Sequence, residues 1–331
     1  MRTQIYGTFG PACALEEILV KMIECGLTGM RLNLSHSSLH ESKSYVESYQ
    51  NACEKCGVNP QILIDMQGPE LRIGKVDPER ELQPNDVVVF GKDGIMIPQQ
   101  FMNCVEVGDE ILLDDGKLSL TVALKDNGKI SANVLRGGIL KSHKSIKIVG
   151  KDVLMPVLTE HDIQNVKEAK TYGVTALMQP FVLCGEHLAY VRKMLKEYKA
   201  EDIKIFAKIE NQIGVQNLES IIPEADVIII ARGDLGNDMP LWELPKVQKQ
   251  IEEVCKKHQK PYVVVTQMLA SMEKNLVPTR AEVSDIFHAV MHGAYGVMVT
   301  GETAIGKYPV EVIKYLANTA KEAEIYGTES V

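Results

Sequence analysis

The sequence has no apolar run that approaches the roughly 18 residues of a membrane-spanning helix, and its first ten residues lack the apolar core of a secretory signal. It also lacks a basic region: 36 Lys and Arg residues stand against 44 Asp and Glu residues, spread along 331 residues, for a net charge of −8. These absences predict no membrane partner and no nucleic-acid partner, and they favour the cytoplasm. Small anionic ligands that bind locally are compatible with this charge.

Cysteines with a recognisable spacing are nearly absent. The seven cysteines are an odd number scattered along the chain, which fits reduced thiols. Cys53 and Cys56 have the spacing of a CxxC motif, but no second CxxC or nearby histidine pair accompanies them. His288 and His292 lie four residues apart without the intervening glutamate of a zinc protease, so we expect packing or surface roles for them.

What the sequence does contain is an alternation of short β-branched runs and amphipathic stretches, which is typical of parallel βα units. The stretch 279–293 shows the helical half of a unit, because Thr279 and Glu282 have the spacing of a capping box at its start. Eight units are present, with strands predicted near residues 2–8, 29–34, 61–66, 174–179, 203–209, 226–232, 261–266 and 295–299.

The third strand is followed by a different pattern. Between residues 74 and 150 the chain consists of short strands and turns, which predicts a small all-β domain inserted between two barrel segments, 1–73 and 151–331. The remaining residues, about 255 with eight strand-helix units, have the typical size of an α/β (β/α)8 TIM barrel. An open doubly wound sheet would need a glycine-rich first turn, which residues 7–11 supply poorly.

Polar side chains fall at the carboxyl ends of these predicted strands, where a barrel builds its site. Lys208 and Glu210 share one face of the fifth strand, and Asp234 follows the sixth in a glycine-containing segment. A salt-bridged barrel layer would explain the first two alone. Two carboxylates with nearby cations also suit a Mg²⁺ and phosphate site, because Mg²⁺ prefers a few carboxylates plus phosphate oxygens. The other polar residues at strand ends are Arg31, Asn33, Ser35, Asp65, Glu70, Arg72, Thr266, Thr300 and Glu302.

A second phosphate-binding pattern is weaker. Residues 301–308 nearly fit the G-x-x-x-x-G-K-[ST] loop, but the last position is Tyr308. Tyrosine does not supply the small hydroxyl that contacts Mg²⁺ in such loops. We therefore expect no true phosphate loop here.

Seven segments of the chain, in one order and over nearly its whole length, resemble motifs of the pyruvate kinase family. Several long motifs in a single order make the resemblance specific. The segments are RLNLSH at 31–36, DMQGPELR at 65–72, AKIEN at 207–211, ARGDLG at 231–236, TQML at 266–269, PTRAE at 278–282 and GETA at 301–304.

The resemblance implies phosphoryl transfer from phosphoenolpyruvate to ADP, giving pyruvate and ATP, with the inserted domain acting as a lid. It implies that Lys208 stabilises the transferring phosphoryl group and that Arg31 also holds phosphate. Thr266 and the amides of Gly233 and Asp234 would hold the substrate carboxylate. The implied cation ligands are Glu210 and Asp234 for Mg²⁺ (or Mn²⁺), and Asn33, Ser35, Asp65 and the Met66 carbonyl for K⁺.

On the nucleotide side the resemblance implies Arg72 and His36, and Glu70 matches the acidic residue that accompanies K⁺ dependence in the family. The chain ends after the eighth predicted helix, without the family's C-terminal effector domain. We therefore expect no activation by fructose bisphosphate and a homodimer at most.

Several positions near the expected site depart from the family pattern. Met66 and Gln67 stand where the family has Thr and Lys, Pro180 and Leu183 replace a Ser and an Arg, His161 replaces a Lys, and Ile213 occupies a usually polar position. These departures keep a second hypothesis open: a non-catalytic paralogue that binds phosphoenolpyruvate, nucleotide or a protein partner in a regulatory or assembly role. A third hypothesis uses the same Mg²⁺-enolate chemistry for carbon–carbon lysis.

Overall fold

The barrel is built from two separate stretches of the chain. In the computed structural model, one unit comprises Met1–Gly68 with Val157–Val331, and the other comprises Pro69–Pro156. The predicted boundaries of the inserted domain, Gly74 and Gly150, lie inside the second unit. The structure describes residues 3–35, 37–69, 71–114, 116–151, 153 and 155–329.

Fifteen strands occur in the described residues, and we number them along the chain. They are β1 Gln4–Thr8, β2 Gly29–Asn33, β3 Ile62–Asp65, β4 Arg80–Leu82, β5 Val87–Gly91, β6 Glu110–Leu113, β7 Leu118–Asp126, β8 Lys129–Arg136, β9 Gly138–Leu140, β10 Ile146–Ile148, β11 Ala176–Gln179, β12 Lys204–Ile209, β13 Val227–Ala231, β14 Tyr262–Val265 and β15 Gly296–Met298. Eight of them close a parallel barrel in the order β1-β15-β14-β13-β12-β11-β3-β2. The predicted (β/α)8 barrel is confirmed, and each barrel strand lies within one of the eight predicted runs.

The helices of the described residues follow the strands as βα units require. They are α1 Glu16–Glu24, α2 Lys43–Cys56, α3 Gln99–Cys104, α4 Glu160–Ala169, α5 Gly185–Glu197, α6 Gln212–Gln216, α7 Leu218–Ile221, α8 Arg232–Asn237, α9 Leu244–Lys257, α10 Arg280–Met291, α11 Gly301–Ala304 and α12 Pro309–Glu329. Helix α10 begins with the predicted capping box, in which Thr279 and Glu282 satisfy each other's backbone amides. No helix in the described ranges is both long and apolar enough to cross a membrane.

Side-chain alternation along the barrel strands creates two apolar cores. Tyr6, Phe206 and Val263 belong to the core inside the barrel, whereas strand residues such as Leu32 and Ile209 belong to the core shared with the helices. Side chains two residues apart on a strand share a face. The positions two residues after the inner-core residues therefore also face the barrel interior, and there the side chains are polar. The fold therefore places Thr8, Arg31, Asp65 and Lys208 over an apolar plug at the carboxyl end of the barrel.

The strands described in the second unit all pair antiparallel. Five of them make a sheet in the order β10-β6-β7-β8-β5, and β4 pairs with β9. A separate apolar core fills this unit, with Phe90, Phe101 and Leu120 among its fully buried side chains. Helix α3 is the helical element of the unit that the sequence did not predict. This helix is stabilised by its tertiary packing, because it contributes the buried Phe101 ring to the core of the unit.

All seven cysteines are free thiols. Cys13, Cys53 and Cys255 are buried, and burial raises the pKa of each of these thiols. A raised pKa makes the reactive thiolate rarer. These cysteines therefore have the properties of packing residues.

Candidate functional site

Four charged side chains meet at the carboxyl end of the barrel. Arg31 donates from Nε to Oδ2 of Asp65 at 2.8 Å, and its Nη2 lies 2.6 Å from the same oxygen. Lys208 Nζ lies 3.3 Å from Asp65 Oδ1 and 2.7 Å from Glu210 Oε1. Asp65 and Glu210 are 2% and 3% exposed. Two cations whose side chains are 13% exposed and two buried carboxylates therefore form one continuous chain of ion pairs.

Strands on one side of the barrel bring this quartet together: β2 and β3 are neighbours, and β11 lies between β3 and β12. Asp65 ends β3, and the register places it beside Asn33 on β2. Arg31 lies two residues before Asn33 on β2 and also donates from Nη1 to Thr8 Oγ1 on β1, at 3.4 Å. The quartet thus depends on the closed barrel, because its members come from strands that are far apart in sequence.

The charges within the quartet fix one another's protonation. Burial alone would raise the pKa of Asp65, but the positive charges of Lys208 and Arg31 outweigh it and hold that pKa below its usual range. Burial alone would lower the pKa of Lys208, but the Asp65 and Glu210 carboxylates outweigh it and raise that pKa. Lys208 is therefore a fixed positive charge and Asp65 a fixed negative one.

Glu210 is held by the backbone as well as by Lys208. Its Oε2 accepts a hydrogen bond from the Phe181 amide at 2.7 Å, and Phe181 has a positive φ of 51°. Burial raises the pKa of Glu210, because the charge of Lys208 only partly offsets the desolvation and the Asp234 charge adds to it. Phe181 was not predicted from the sequence, since a backbone amide leaves no residue signature.

Thr266 lies just past β14 in an unusual backbone conformation. Its φ is 79°, and that of Gln267 is 55°. Positive φ is unfavourable for a β-branched residue and persists only where the surrounding structure enforces it. Gly233 packs directly against this threonine, since a Cβ built on Gly233 would lie 3.0 Å from Thr266 Cγ2. The structure therefore brings Thr266 and Gly233 together, as the resemblance implies.

Arg232 enforces the conformation of Thr266. It donates from Nε and Nη2 to the Thr266 carbonyl at 3.2 and 2.7 Å. Its Nη1 lies 2.7 Å from Asp285 Oδ2 on α10. The arginine fork is therefore fixed at both ends. Arg232 was not among the predicted site residues, although it lies in the ARGDLG segment.

The carboxylates at the barrel mouth fit a divalent cation. Oε1 of Glu210 and Oδ1 of Asp65 face the Lys208 ammonium, yet within the described ranges neither receives a hydrogen bond. Asp234 is exposed on α8, and its charge acts on both Lys208 and Glu210. The described residues hold no group of three or more His, Cys, Asp or Glu side chains suited to a metal ion. Two carboxylates suffice for Mg²⁺ when substrate oxygens and water complete its shell.

The residues implied for K⁺ form a set of oxygen donors around one pair of strand ends. Asn33 and Asp65 are partners in the β2–β3 register, and Asn33 Oδ1 accepts a hydrogen bond from the Ser35 amide at 3.1 Å. Met66 directly follows Asp65, and its amide donates to the Met178 carbonyl at 3.1 Å. Carboxylate, amide, hydroxyl and carbonyl oxygens are suitable ligands for a hard monovalent cation. This donor set therefore fits such an ion.

The resemblance implies three further residues. His36 and Glu70 lie outside the described residues. Arg72 belongs to the second unit, where its Nη1 donates to the His143 carbonyl at 2.8 Å. Their assignments to the nucleotide side and to K⁺ dependence stay predictions.

The residues that depart from the family pattern have local partners in this structure. The Nε2 atom of His161 lies 3.2 Å from the carbonyls of Leu34 and Ser37. Pro180 packs on Gly68, where a Cβ would lie 2.3 Å from Pro180 Cγ. The Leu183 carbonyl accepts a hydrogen bond from Asn217 at 2.8 Å. The substitutions are thus accommodated by packing and backbone contacts.

Two of the weaker patterns have structural explanations. Glu302, in the segment that resembles a phosphate loop, is 1% exposed and accepts hydrogen bonds from the Thr300 and Leu269 amides at 2.7 and 3.2 Å. His292 Nδ1 lies 3.1 Å from Glu252 Oε2. Both side chains hold neighbouring elements together.

The fold and this quartet define the class: a (β/α)8 barrel with a buried, charge-paired site at its carboxyl end. Comparison with known proteins identifies the family. The family model described as the pyruvate kinase barrel domain matches residues 1–313. The chain belongs to the pyruvate kinase family.

Individual relatives agree with this assignment. The chain is 36% identical to the pyruvate kinase of Bacillus licheniformis over 334 residues, which cover 98% of this chain and 57% of that protein. It is 36% identical to the pyruvate kinase of Aeropyrum pernix over 323 residues, covering 97% of this chain and 70% of that protein. The chain thus spans little more than half of the Bacillus licheniformis relative.

Proposed function

We propose that this chain transfers a phosphoryl group from phosphoenolpyruvate to ADP, giving pyruvate and ATP. The observation that carries the proposal is the Lys208 ammonium, 13% exposed and held between Asp65 and Glu210 at the carboxyl end of the barrel. In the transition state of phosphoryl transfer, negative charge is spread over the phosphoryl oxygens, and a fixed cation in a site that excludes water stabilises that charge. Membership of the pyruvate kinase family supports phosphoryl transfer as the reaction in which this cation takes part.

Arg31 and Lys208 have separate tasks in this account. Both are held by the same carboxylate, Asp65, so their charges are oriented before substrate arrives. Arg31 holds the phosphate, and Lys208 stabilises the group as it leaves the enol oxygen. The bond between phosphorus and the enol oxygen breaks, a bond forms to the β-phosphate of ADP, and the enolate takes a proton at carbon to become pyruvate.

Thr266 and Gly233 hold the substrate carboxylate in this account. The left-handed conformation of Thr266 and its contact with Gly233 fix its hydroxyl relative to the Gly233 and Asp234 amides. The absent side chain of glycine allows a ligand to approach the backbone closely. The carboxylate end of phosphoenolpyruvate would then be fixed while its phosphate meets Arg31 and Lys208.

Glu210 and Asp234 would hold Mg²⁺, or Mn²⁺, and Asn33, Ser35, Asp65 and the Met66 carbonyl would hold K⁺. Bound there, the ions would neutralise charge on the substrate phosphate. Arg72 and His36 are proposed nucleotide contacts. The homodimer, the cytoplasmic location and the lid role of the inserted domain stay predictions.

One observation favours the non-catalytic alternative. His161 stands where the family has a lysine, and it contacts the carbonyls of Leu34 and Ser37. A cation near the nucleotide phosphates is therefore replaced by a side chain that binds backbone. A paralogue that binds phosphoenolpyruvate without transferring its phosphoryl group would show this pattern.

The two hypotheses separate in a coupled assay for pyruvate, with phosphoenolpyruvate and ADP as substrates. We expect turnover that requires Mg²⁺ and rises with K⁺ at constant ionic strength. Folded protein that binds phosphoenolpyruvate in calorimetry but forms no pyruvate would favour the paralogue, and reversion of His161 to Lys would be the first repair to test.

The Arg232 clamp predicts a selective effect on substrate binding. Arg232→Lys removes the paired hydrogen bonds to the Thr266 carbonyl, each charged hydrogen bond contributing about 1.5–3 kcal/mol. We expect kcat/KM for phosphoenolpyruvate to fall by about 10- to 100-fold, mainly through KM. Asp285→Asn, which leaves the fork in place, should have a smaller effect in the same direction. Equal KM values for Arg232→Lys and the unchanged protein would contradict the assigned role of Thr266.

A further inference from the structure

A fully buried carboxylate outside the quartet binds the backbone that follows Asp65. Asp162 is 0% exposed. Its Oδ1 accepts a hydrogen bond from the Gln67 amide at 2.9 Å, and its Oδ2 accepts one from the Gly68 amide at 3.1 Å. The Thr159 amide and hydroxyl also donate to Oδ2, at 2.9 and 2.8 Å. A helix cap needs the Thr159 contacts, but it does not need the two amides at 67 and 68.

These contacts fix a short loop at both ends. Upstream, Asp65 is held by Arg31 and Lys208. Downstream, Gly68 adopts a φ of 60° and packs against Pro180. Between them, the Met66 amide donates to the Met178 carbonyl. The loop from Asp65 to Gly68, which we call the 65–68 loop, is therefore pinned along its whole length.

We propose that Asp162 is a positioning residue for the monovalent cation, acting through the 65–68 loop. Two of the proposed K⁺ ligands, the Asp65 carboxylate and the Met66 carbonyl, belong to this loop. Because Asp162 binds the next two amides, it sets the direction in which the Met66 carbonyl points. The inference rests on the proposed function for the identity of the ion, and on the described contacts for the role of Asp162.

The test measures K⁺ binding by thermal unfolding, without relying on activity. The melting temperature is followed against KCl at constant ionic strength, with choline chloride as the balancing salt. We expect a K⁺-specific stabilisation that saturates in the unchanged protein. Asp162→Asn keeps the shape but turns an NH₂ group toward a backbone donor. The half-saturating K⁺ concentration should therefore rise at least about tenfold, the usual effect of removing a group that orients a metal ligand.

Thr159→Ala is the matched control. It removes a hydroxyl that caps α4 and donates to the Gln67 side-chain oxygen at 3.4 Å. It leaves both loop amides bound to Asp162, so it should lower the melting temperature without changing the half-saturating K⁺ concentration. If Asp162→Asn does not fold, Gly68→Ala decides the question. Its new Cβ would lie 2.3 Å from Pro180 Cγ, which displaces the 65–68 loop while Asp162 is intact, and the same loss of K⁺ affinity is expected.

Three results would overturn the inference. The first is no K⁺-specific stabilisation of the unchanged protein. The second is an unchanged half-saturating K⁺ concentration in Asp162→Asn, or in Gly68→Ala if Asp162→Asn does not fold, and the third is an equal change of that concentration in Thr159→Ala and Asp162→Asn. The pyruvate assay keeps this failure distinct from failure of the proposed function. Turnover without any K⁺ response would leave the phosphoryl transfer standing and remove the role of Asp162. If instead K⁺ stabilises the protein, Asp162→Asn weakens that stabilisation and no pyruvate forms, the role of Asp162 would stand and the proposed phosphoryl transfer would be removed.

Discussion

Replacement of Lys208 by methionine is expected to reduce the rate of pyruvate formation by about 10³-fold or more, the scale on which a single cation stabilises a transferring phosphoryl group. Methionine fills similar volume but leaves no charge beside the substrate phosphate. The Asp65 and Glu210 carboxylates also lose the ammonium that lies 3.3 and 2.7 Å from them. The measurement is kcat in the coupled pyruvate assay at saturating substrates.

The matched control is Lys204→Met on the same strand. Lys204 begins β12 and is exposed, so its loss should leave kcat within about twofold, as expected for a surface substitution. Residual activity of Lys208→Met above about one tenth of the unchanged protein would exclude Lys208 as the stabilising cation. Circular dichroism of both variants confirms that the comparison is made between folded proteins.

Replacement of Asp65 by asparagine is expected to cost the most stability of any single change in the site. Asp65 is the shared partner of Arg31 and Lys208, and both cations would be left buried beside a neutral amide. Breaking a buried ion pair by removing one partner costs about 3–5 kcal/mol. Urea unfolding at pH 7 measures the loss, and pyruvate formation should fall with it because neither cation would be held in place.

An exposed aspartate provides the comparison. Asp202 is 74% exposed and pairs with Lys170 at 3.7 Å, and Asp202→Asn should change the free energy of unfolding by less than about 1 kcal/mol, the usual range for surface pairs. If Asp65→Asn were equally mild, the quartet would not be the electrostatic centre of the barrel.

The barrel could be predicted from the sequence because its strands are regular. Alternation placed Lys208 and Glu210 on one face, and the barrel rule placed that face at the carboxyl ends, where Arg31 and Asp65 also lie. Helix α10 was predicted from its capping box. These signals lie within short segments of the sequence, so they can be recognised without knowledge of the contacts between strands.

The supporting contacts could not be predicted in the same way. Arg232 binds the Thr266 carbonyl, Asp162 binds the Gln67 and Gly68 amides, and Glu210 binds the Phe181 amide. In each case a side chain meets the backbone of a segment distant in sequence. Backbone groups are common to all residues, so such contacts leave no motif. The helix α3 in the second unit was missed for a related reason, since a helix of six residues is too short to show a clear hydrophobic period and is defined by its tertiary packing.

The most direct test of the central claim follows the phosphorus atom itself. Phosphoenolpyruvate and ADP are incubated with the protein, Mg²⁺ and K⁺, and the reaction is recorded by ³¹P NMR. Phosphoryl transfer to ADP predicts that the phosphoenolpyruvate resonance falls as the γ-phosphate resonance of ATP rises in equal amount. Orthophosphate in place of ATP, a phosphorylated product of carbon–carbon lysis, or an unchanged spectrum from folded protein would contradict it.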